Sequence, residues 1–347
     1  MKKITKVMQT IILIVISCFL LADSGSVILA AENKQSTTQQ PSRSFTVKAI
    51  IPDNQINKQL TYYDLQTKPN QKQTLKLLVT NLGTKKLKVT VRINNAYTSQ
   101  NGVISYDKPY VKLYQAQQPA LSDLVIGTRY KKLTLAPQHS QIVKFTYRAP
   151  KKQFKGIMLG GITASAGVGT SDNKNLTIQN RIRYVTGVVL HSDASPVKPH
   201  LTLGPRIGAQ SRSMQPGLGF ELQNAQPVNI SQMQLHVRVT SNKHHVPVRK
   251  INNAQMAPNS TWDAFVPYKN LAAGSYVLHL QVKAKGGLEQ EFTRKFTITK
   301  DQQNQLNKNQ HLRNWPIVTW IVLIIVLGVI LVIGYLLWVY MQGRKLH

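Results

Sequence analysis

The chain has 347 residues and a formal net charge of +31, from 44 Lys plus Arg against 13 Asp plus Glu. Such a charge attracts polyanions within a Debye length of about 8 to 10 Å. The single cysteine, Cys18, lies in an N-terminal apolar run. The rest of the chain can therefore hold no disulfide, no Cys-ligated metal and no cysteine nucleophile, and it is long enough for two domains of ordinary size.

The N-terminal segment has the layout of a secretory signal peptide. Three lysines precede a short apolar run at residues 11–21, and small residues follow it at Ala30 and Ala31. Cleavage after either alanine would leave a mature chain whose body lies outside the cell. We assign residues 1–30 to the signal. A retained membrane helix is the alternative, which the shortness of the run disfavours. A lipoprotein is also disfavoured, because the apolar core continues past Cys18.

Residues 31–44 are polar and without periodicity, which predicts a flexible lead. From residue 45 onward the hydrophobic pattern has period two. The clearest runs of this first half extend from Leu87 to Ile93 and from Val143 to Tyr147, with apolar side chains on one face and mostly cations or threonines on the other. This alternation is typical of half-buried antiparallel strands. Asn81-Leu82-Gly83 and Asn101-Gly102 supply turn residues between such runs.

A second set of alternating runs follows. It comprises residues 235–240, 276–283 and 292–298, the last after the turn residues Gly286-Gly287. Many short strands with regular turn signals, and no convincing amphipathic helix, predict an all-β fold. We expect two consecutive immunoglobulin-like β-sandwich domains.

The boundary between the two sandwiches has two candidate positions. Gly160-Gly161-Ile162 and the run 183–188 are able to pair as a hairpin, which places the linker at residues 192–200, where Pro196 and Pro199 lie. Alternatively, the Gly/Ser/Asn-rich loop at 167–175 is itself the join. Periodicity does not choose between them.

The C-terminal end predicts a membrane anchor. Residues 301–314 form a polar stalk, 315–340 an uncharged apolar stretch long enough to span about 30 Å of hydrocarbon as a helix, and 341–347 a short tail. Ring and cationic side chains are expected at the two membrane interfaces, namely Trp315, Trp320, Trp338, Arg344 and Lys345. The two cations predict a cytoplasmic tail. An exported, anchored chain rarely meets nucleic acid, so anionic wall polymers and lipid headgroups are the expected polyanions.

Catalytic and metal-binding motifs are absent. There is no zincin helix, nucleophile elbow, P-loop or dinucleotide-binding fingerprint. Two carboxylate pairs remain as weak glycosidase candidates, Asp107 with Asp123 and Glu289 with Glu291. Adjacent histidines at His244-His245 point to opposite faces of a strand and are best assigned to a solvated loop. We therefore expect a non-enzyme without metal or cofactor.

Several segments resemble the WxL-interacting protein family over nearly all of the exported body. The segments for the first domain are Thr61-Tyr62-Tyr63-Asp64-Leu65, Lys68-Pro69-Asn70-Gln71 with the run 74–80, Asn101-Gly102-Val103-Ile104-Ser105-Tyr106, and residues 154–162 around Gly160-Gly161. Those for the second are Gln255-Met256-Ala257-Pro258-Asn259-Ser260 and residues 271–276. Their order between a signal peptide and a membrane helix makes the resemblance fairly specific.

The resemblance implies a Gram-positive cell-surface protein at the interface of membrane and wall. It implies a peptidoglycan-binding first domain at 45–166, which also contacts WxL proteins, and a host-binding second domain at 176–300; we adopt this boundary. The family's Gly-Tyr-Phe-Asp is Thr61-Tyr62-Tyr63-Asp64 here.

Candidate binding or motif positions are Tyr62, Tyr63, Asp64, Gln255, Met256, Pro258 and Asn259. On an extended segment one of the two tyrosines is expected to pack in the core, while the other is free to stack on a sugar.

The resulting hypothesis is a non-enzymatic, membrane-anchored scaffold. Its expected partners are peptidoglycan or an anionic wall polymer, a WxL-domain surface protein and the membrane, with a host protein as a further candidate and no nucleic acid. A direct adhesin for host ligands is the alternative, and a wall-modifying enzyme is disfavoured by the missing convergent acids and nucleophiles.

Overall fold

The computed structural model describes residues 44–170, 179–193, 195–243, 245–269, 271–311 and 317–343. The predicted signal peptide and its cleavage positions Ala30 and Ala31 lie outside this part of the chain. So do Trp315, Arg344 and Lys345. Within the described residues the chain folds into two β-sandwiches followed by helices, so the predicted all-β architecture is confirmed.

The first sandwich consists of two sheets. One sheet has the order β1-β3-β9-β7, from strands β1 (Phe45–Ile50), β3 (Lys72–Asn81), β9 (Ser140–Arg148) and β7 (Val125–Ile126). The other has the order β2-β11-β10-β4-β8, from β2 (Tyr63–Gln66), β11 (Gln179–His191), β10 (Ile157–Thr170), β4 (Leu87–Asn95) and β8 (Tyr130–Leu135). Neighbouring strands are antiparallel except β2 and β11, which are parallel. A small hairpin, β5 (Tyr97–Thr98) with β6 (Ile104–Ser105), and a short helix α1 (Leu121–Leu124) complete this half.

The second sandwich has a three-stranded and a four-stranded sheet. The first has the order β12-β13-β16, from β12 (Thr202–Arg212), β13 (Gln215–Asn224) and β16 (Ser260–Pro267). The second has the order β15-β14-β17-β18, from β15 (Arg249–Met256), β14 (Ile230–Thr240), β17 (Gly274–Ala284) and β18 (Leu288–Ile298). The alternation in the sequence produces both cores. Val89, Val91 and Ile93 are buried in the first, and Leu235 and Val237 are buried in the second.

The strand Gln179–His191 extends the first sandwich past the adopted domain boundary. It pairs antiparallel with β10 from Ile157↔His191 to Thr170↔Gln179, which is the hairpin alternative of the sequence analysis. Val188 and Leu190 are fully buried in the first core. A second domain that begins at residue 176 would remove a central strand from the first sandwich. The chain therefore passes from one sandwich to the other at residues 192–200.

The predicted polar stalk is instead largely a helix, α2 (Lys300–His311). Leu306 is 5% exposed and belongs to the core of the second sandwich, and the backbone N–H of Ala273 donates to Gln303 Oε1 at 2.9 Å. At the start of the helix, the backbone N–H of Thr299 donates to Gln302 Oε1 and the backbone N–H of Gln302 donates to Thr299 Oγ1, as in a capping box. Residues up to Leu306 thus belong to the second sandwich.

The last helix, α3 (Ile317–Gly343), contains one stretch, Val322–Val339, that is long and apolar enough to cross a membrane. At 1.5 Å per residue this stretch is about 27 Å long, close to the thickness of a hydrocarbon core. Its side chains are exposed in the isolated chain. Trp320 lies in the first turn of α3. Trp338 near its other end is exposed and lies 6.2 Å from the ring of Tyr335.

Candidate functional site

A groove on the first sandwich brings three tyrosines together, and we call it the tyrosine groove. Its volume is about 850 Å³, and Tyr62, Tyr106 and Tyr184 line it with the exposed lysines Lys48 and Lys58. It lies beside the free edge of strand β1, between that strand and β11, with the loop 51–62 as a further wall. No acidic residue is among its lining residues.

The loop before β2 holds Tyr62 in place through a buried glutamine. Gln55 Nε2 donates to the carbonyl oxygen of Tyr62 at 2.9 Å, and Gln55 Oε1 accepts from the backbone N–H of Asp64 at 3.0 Å. Tyr62 and Tyr63 point in opposite directions, as the extended segment predicts. Tyr63 is fully buried and its hydroxyl donates to the Lys76 carbonyl at 2.6 Å, whereas Tyr62 is 37% exposed. Of the two tyrosines, Tyr62 is therefore the one that is accessible in the groove.

Tyr106 is a second ring of the groove that the fold holds in place. Its carbonyl oxygen accepts from Asn94 Nδ2 at 2.7 Å. Its ring lies against Gly161, where an added Cβ would be 2.8 Å from Tyr106 Cδ1. Burial raises the pKa of Tyr106, and the nearby Tyr62 raises it further. A tyrosine hydroxyl is protonated at neutral pH in any case, so that of Tyr106 is a hydrogen-bond donor.

Tyr184 on β11 provides the third ring. It packs edge-to-face on Phe45, with ring centroids 4.9 Å apart. Such a pair fixes the ring orientation and adds about 0.5 to 1.5 kcal/mol beyond simple burial. Rings that are immobile before binding lose little conformational entropy when a ligand stacks on them. The groove is thus suited to a neutral or anionic ligand with flat apolar faces, such as a sugar chain.

The carboxylate of Asp64 already has a partner within the fold. Its Oδ1 lies 2.7 Å from His191 Nε2, in a partly buried pair between β2 and β11. In the described residues no hydroxyl is hydrogen-bonded to that imidazole. The pair fastens the short strand β2 to β11, which keeps the tyrosine segment at the groove.

The predicted positions in the second domain lie between the sandwiches. Met256, Pro258 and Asn259 are buried. The backbone N–H of Gln255 donates to the Gly102 carbonyl at 2.7 Å, and the Asn259 carbonyl accepts from the Tyr114 N–H at 2.6 Å. These residues connect the two sandwiches, and the burial of Met256, Pro258 and Asn259 leaves them little surface for an external partner.

Further contacts extend this junction. Thr98 Oγ1 is 2.6 Å from Ser260 Oγ, and Trp262 Nε1 donates to the Gln100 carbonyl at 3.0 Å. Gly156 has φ +70°, and a Cβ there would lie 2.2 Å from the Pro227 oxygen, so the close approach requires glycine. The sequence analysis missed the junction, although its motif segments Asn101-Gly102 and Gln255–Ser260 form much of it.

The carboxylates considered for catalysis each have another partner in the described part of the chain. Asp107 binds Arg183 and accepts from the Tyr97 hydroxyl, while Asp123 accepts from the Ala120 N–H at the start of α1. Glu289 binds Lys283, and Glu291 accepts from Gln281. His245 is exposed and His244 lies outside the described residues. The described residues contain no group of three or more His, Cys, Asp or Glu placed to hold a metal ion.

Comparison with protein families gives two matches. The model of the WxL Interacting Protein peptidoglycan binding domain matches residues 45–166, and that of the host binding domain of the same protein matches residues 173–308. Together they cover well over half of the chain. A search of curated proteins returned no significant match.

The chain is also similar to solved fimbrial chaperones, at low TM-scores. The class 5 fimbriae chaperone CfaA is 14% identical, with 74% of this chain and 99% of that chain covered and a TM-score of 0.30. The E. coli chaperone DraB is 14% identical, with 72% and 95% covered and a TM-score of 0.28. These values say nothing about function.

Proposed function

The chain belongs to the WxL-interacting protein family, and from this premise we propose that its tyrosine groove binds the glycan of peptidoglycan. The matched domains make it a cell-surface binding protein. Under the proposal it is a non-enzymatic scaffold, anchored in the membrane by α3, that also binds a WxL-domain surface protein.

The observation that supports the groove is the convergence of three sequence segments. The segment 61–65 contributes Tyr62, the segment 101–106 contributes Tyr106, and the segment 154–162 contributes Leu159 and the close packing at Gly161. All three lie in the region matched by the peptidoglycan-binding model. Segments far apart in the chain thus form one preorganised aromatic surface.

The anchor and the non-enzymatic role have their own support. The uncharged stretch of α3 matches a hydrocarbon core in length, and Arg344-Lys345 after it favours a cytoplasmic tail under the positive-inside rule. The acidic side chains considered for catalysis are each hydrogen-bonded or ion-paired to different partners. Contact with a host protein is a second candidate function, favoured by the host-binding match at 173–308.

Substitution of Tyr62 tests the groove. Full-length protein in detergent micelles is incubated with peptidoglycan sacculi freed of anionic polymers, and the bound fraction is measured. Truncating an aromatic anchor typically costs more than 1 kcal/mol, so Tyr62→Ala should weaken binding by roughly tenfold. Tyr62 is partly exposed and its carbonyl bond to Gln55 is retained in the variant, so the fold should survive.

Tyr110→Ala is the matched control. Tyr110 is a tyrosine of the same sandwich that does not line the groove and is 80% exposed. It should leave binding to the stripped sacculi unchanged. Equal binding by the Tyr62 variant and the unaltered protein would refute the groove, and release of soluble muropeptides by the pure protein would refute the non-enzymatic role.

A further inference from the structure

A second aromatic surface on the first sandwich combines tyrosines with unpaired cations, and we call it the cation–tyrosine strip. Each of three cations lies over a tyrosine ring: Lys108 Nζ is 4.4 Å from the ring centroid of Tyr97, Arg129 Cζ is 5.3 Å from that of Tyr110, and Arg92 Cζ is 4.7 Å from that of Tyr130. Arg92 and Tyr130 are direct cross-strand partners on β4 and β8. The sequence analysis singled out none of these residues.

The strip is concave. Tyr110 lines two clefts, one of about 340 Å³ with Arg92, Arg129 and Tyr130, and one of about 660 Å³ with Lys108 and Tyr97. The ring of Tyr110 is 80% exposed between them. The larger cleft is also lined by Ser260, Thr261 and Asp263 of the second sandwich. A chain molecule that lies across Tyr110 would therefore contact both clefts.

The cations of the strip are available to a ligand. No carboxylate lies within 4.0 Å of Lys108, Arg92 or Arg129 in the described residues. The neighbouring acids have other partners, since Asp107 binds Arg183 at 3.0 Å and Asp263 binds Arg206 at 2.8 Å. Among the described residues, the side chains of these three cations form one hydrogen bond, from Arg129 Nη1 to the Pro109 carbonyl at 3.3 Å.

We propose that the strip binds a polyol-phosphate polymer, an anionic wall polymer whose phosphodiesters alternate with neutral polyol units. Guanidinium and ammonium groups bind the phosphate oxygens through charge-assisted hydrogen bonds. The apolar faces of the polyol units lie on the tyrosine rings, of which those of Tyr110 and Tyr130 are exposed. An uncharged glycan would leave the three cations without a partner. A surface made of lysines alone would bind phosphate but would lack the rings on which polyol units pack. This second site is separate from the tyrosine groove and goes beyond the proposed function.

The test measures binding of purified poly(glycerol phosphate) to the full-length protein in nanodiscs of phosphatidylcholine. The strip variant combines Arg92→Gln, Lys108→Gln and Arg129→Gln. Because hydrogen bonds to charged groups are the stronger ones, the strip variant should bind about tenfold or more weakly, with a shallower dependence on salt. The matched control combines Lys72→Gln, Lys76→Gln and Lys144→Gln, which removes the same charge from exposed lysines of the β1-β3-β9-β7 sheet. It should lose less than about threefold, the part due to net charge alone.

Equal losses in the two triple variants would overturn the proposal, because diffuse charge would then explain binding. The same holds if short-chain phosphatidylglycerol displaces the polymer at equal phosphate concentration, since the strip would then recognise a lipid headgroup. Tyr110→Ala, which changes no charge, should also weaken polymer binding. The strip variant should bind polymer-free sacculi normally, and Tyr62→Ala should bind the polymer normally, so this site and the tyrosine groove fail independently.

Discussion

The junction between the sandwiches should depend on the absence of a side chain at Gly102. Gly102 has φ +67°, in the turn of the β5–β6 hairpin. A Cβ at this position would lie 2.5 Å from Cζ2 of Trp262, which is 2% exposed and donates to the Gln100 carbonyl. We therefore expect Gly102→Ala to force apart the hairpin of the first sandwich and the indole of the second.

The magnitude has two parts. An alanine in the left-handed region costs about 1 to 2 kcal/mol. Overpacking against a buried ring costs about 1 to 3 kcal/mol more. Gly127→Ala is a matched control, because Gly127 has φ +83° but nothing within 4 Å of its added Cβ. It should show the backbone cost alone, so the two variants should differ by about 1 to 3 kcal/mol in free energy of unfolding.

The assay is urea unfolding of the full-length protein in detergent, followed by tryptophan fluorescence. Trp262 is the only tryptophan of the β region, since the other three lie at positions 315, 320 and 338. The Gly102 variant should also show a red-shifted emission in the absence of urea, because its indole loses buried packing. Equal destabilisation by the two variants, with unchanged emission, would refute the argument that Trp262 fixes the junction.

Two further outcomes follow from single side chains. Leu306→Ala should lower the free energy of unfolding by about 2 to 4 kcal/mol and expose α2 to proteolysis, because Leu306 is buried in the second core. Gln305→Ala, at an exposed position, is the control. Equal proteolysis of both variants would contradict the docking of α2. Burial raises the pKa of Tyr63 from 10.0 to about 12. The unfolded chain therefore loses this proton first, and Tyr63 should make stability fall between pH 10 and 12. Tyr63→Phe should make that fall shallower in unfolding experiments at stepped pH, and an unchanged slope would contradict this contribution.

The alternating pattern was sufficient to predict the sandwiches, because burial on one face of a strand leaves a period of two. Val143, Phe145 and Tyr147 are buried as expected, and so are Tyr276, Leu278 and Leu280. The opposite orientations of Tyr62 and Tyr63 follow from the same geometry. Both features follow from local backbone geometry, and they can therefore be predicted from a single sequence.

The remaining features depend on contacts between distant residues. Helix α2 was not predicted, because Leu306 is its one apolar anchor and a single residue has no periodicity; the capping residues Thr299 and Gln302 were the available signal. The segment around Met256 resembles a turn in isolation, and only the packed structure brings it to Gly102. The cation–tyrosine strip combines residues from 92 to 130, which no spacing rule connects.

The docking of α2 changes how far the proposed scaffold reaches. A stalk that begins at residue 301 would place the second sandwich on a long flexible tether. With Leu306 in the core, residues 307–316 separate this anchor from α3, and they span less than about 40 Å because residues 307–311 continue α2. If α3 spans the membrane as proposed, the second sandwich stays close to the lipid surface, and the junction holds the first sandwich to it. The tyrosine groove and the cation–tyrosine strip would then meet the inner layers of the wall, where peptidoglycan and anionic polymer are both within reach.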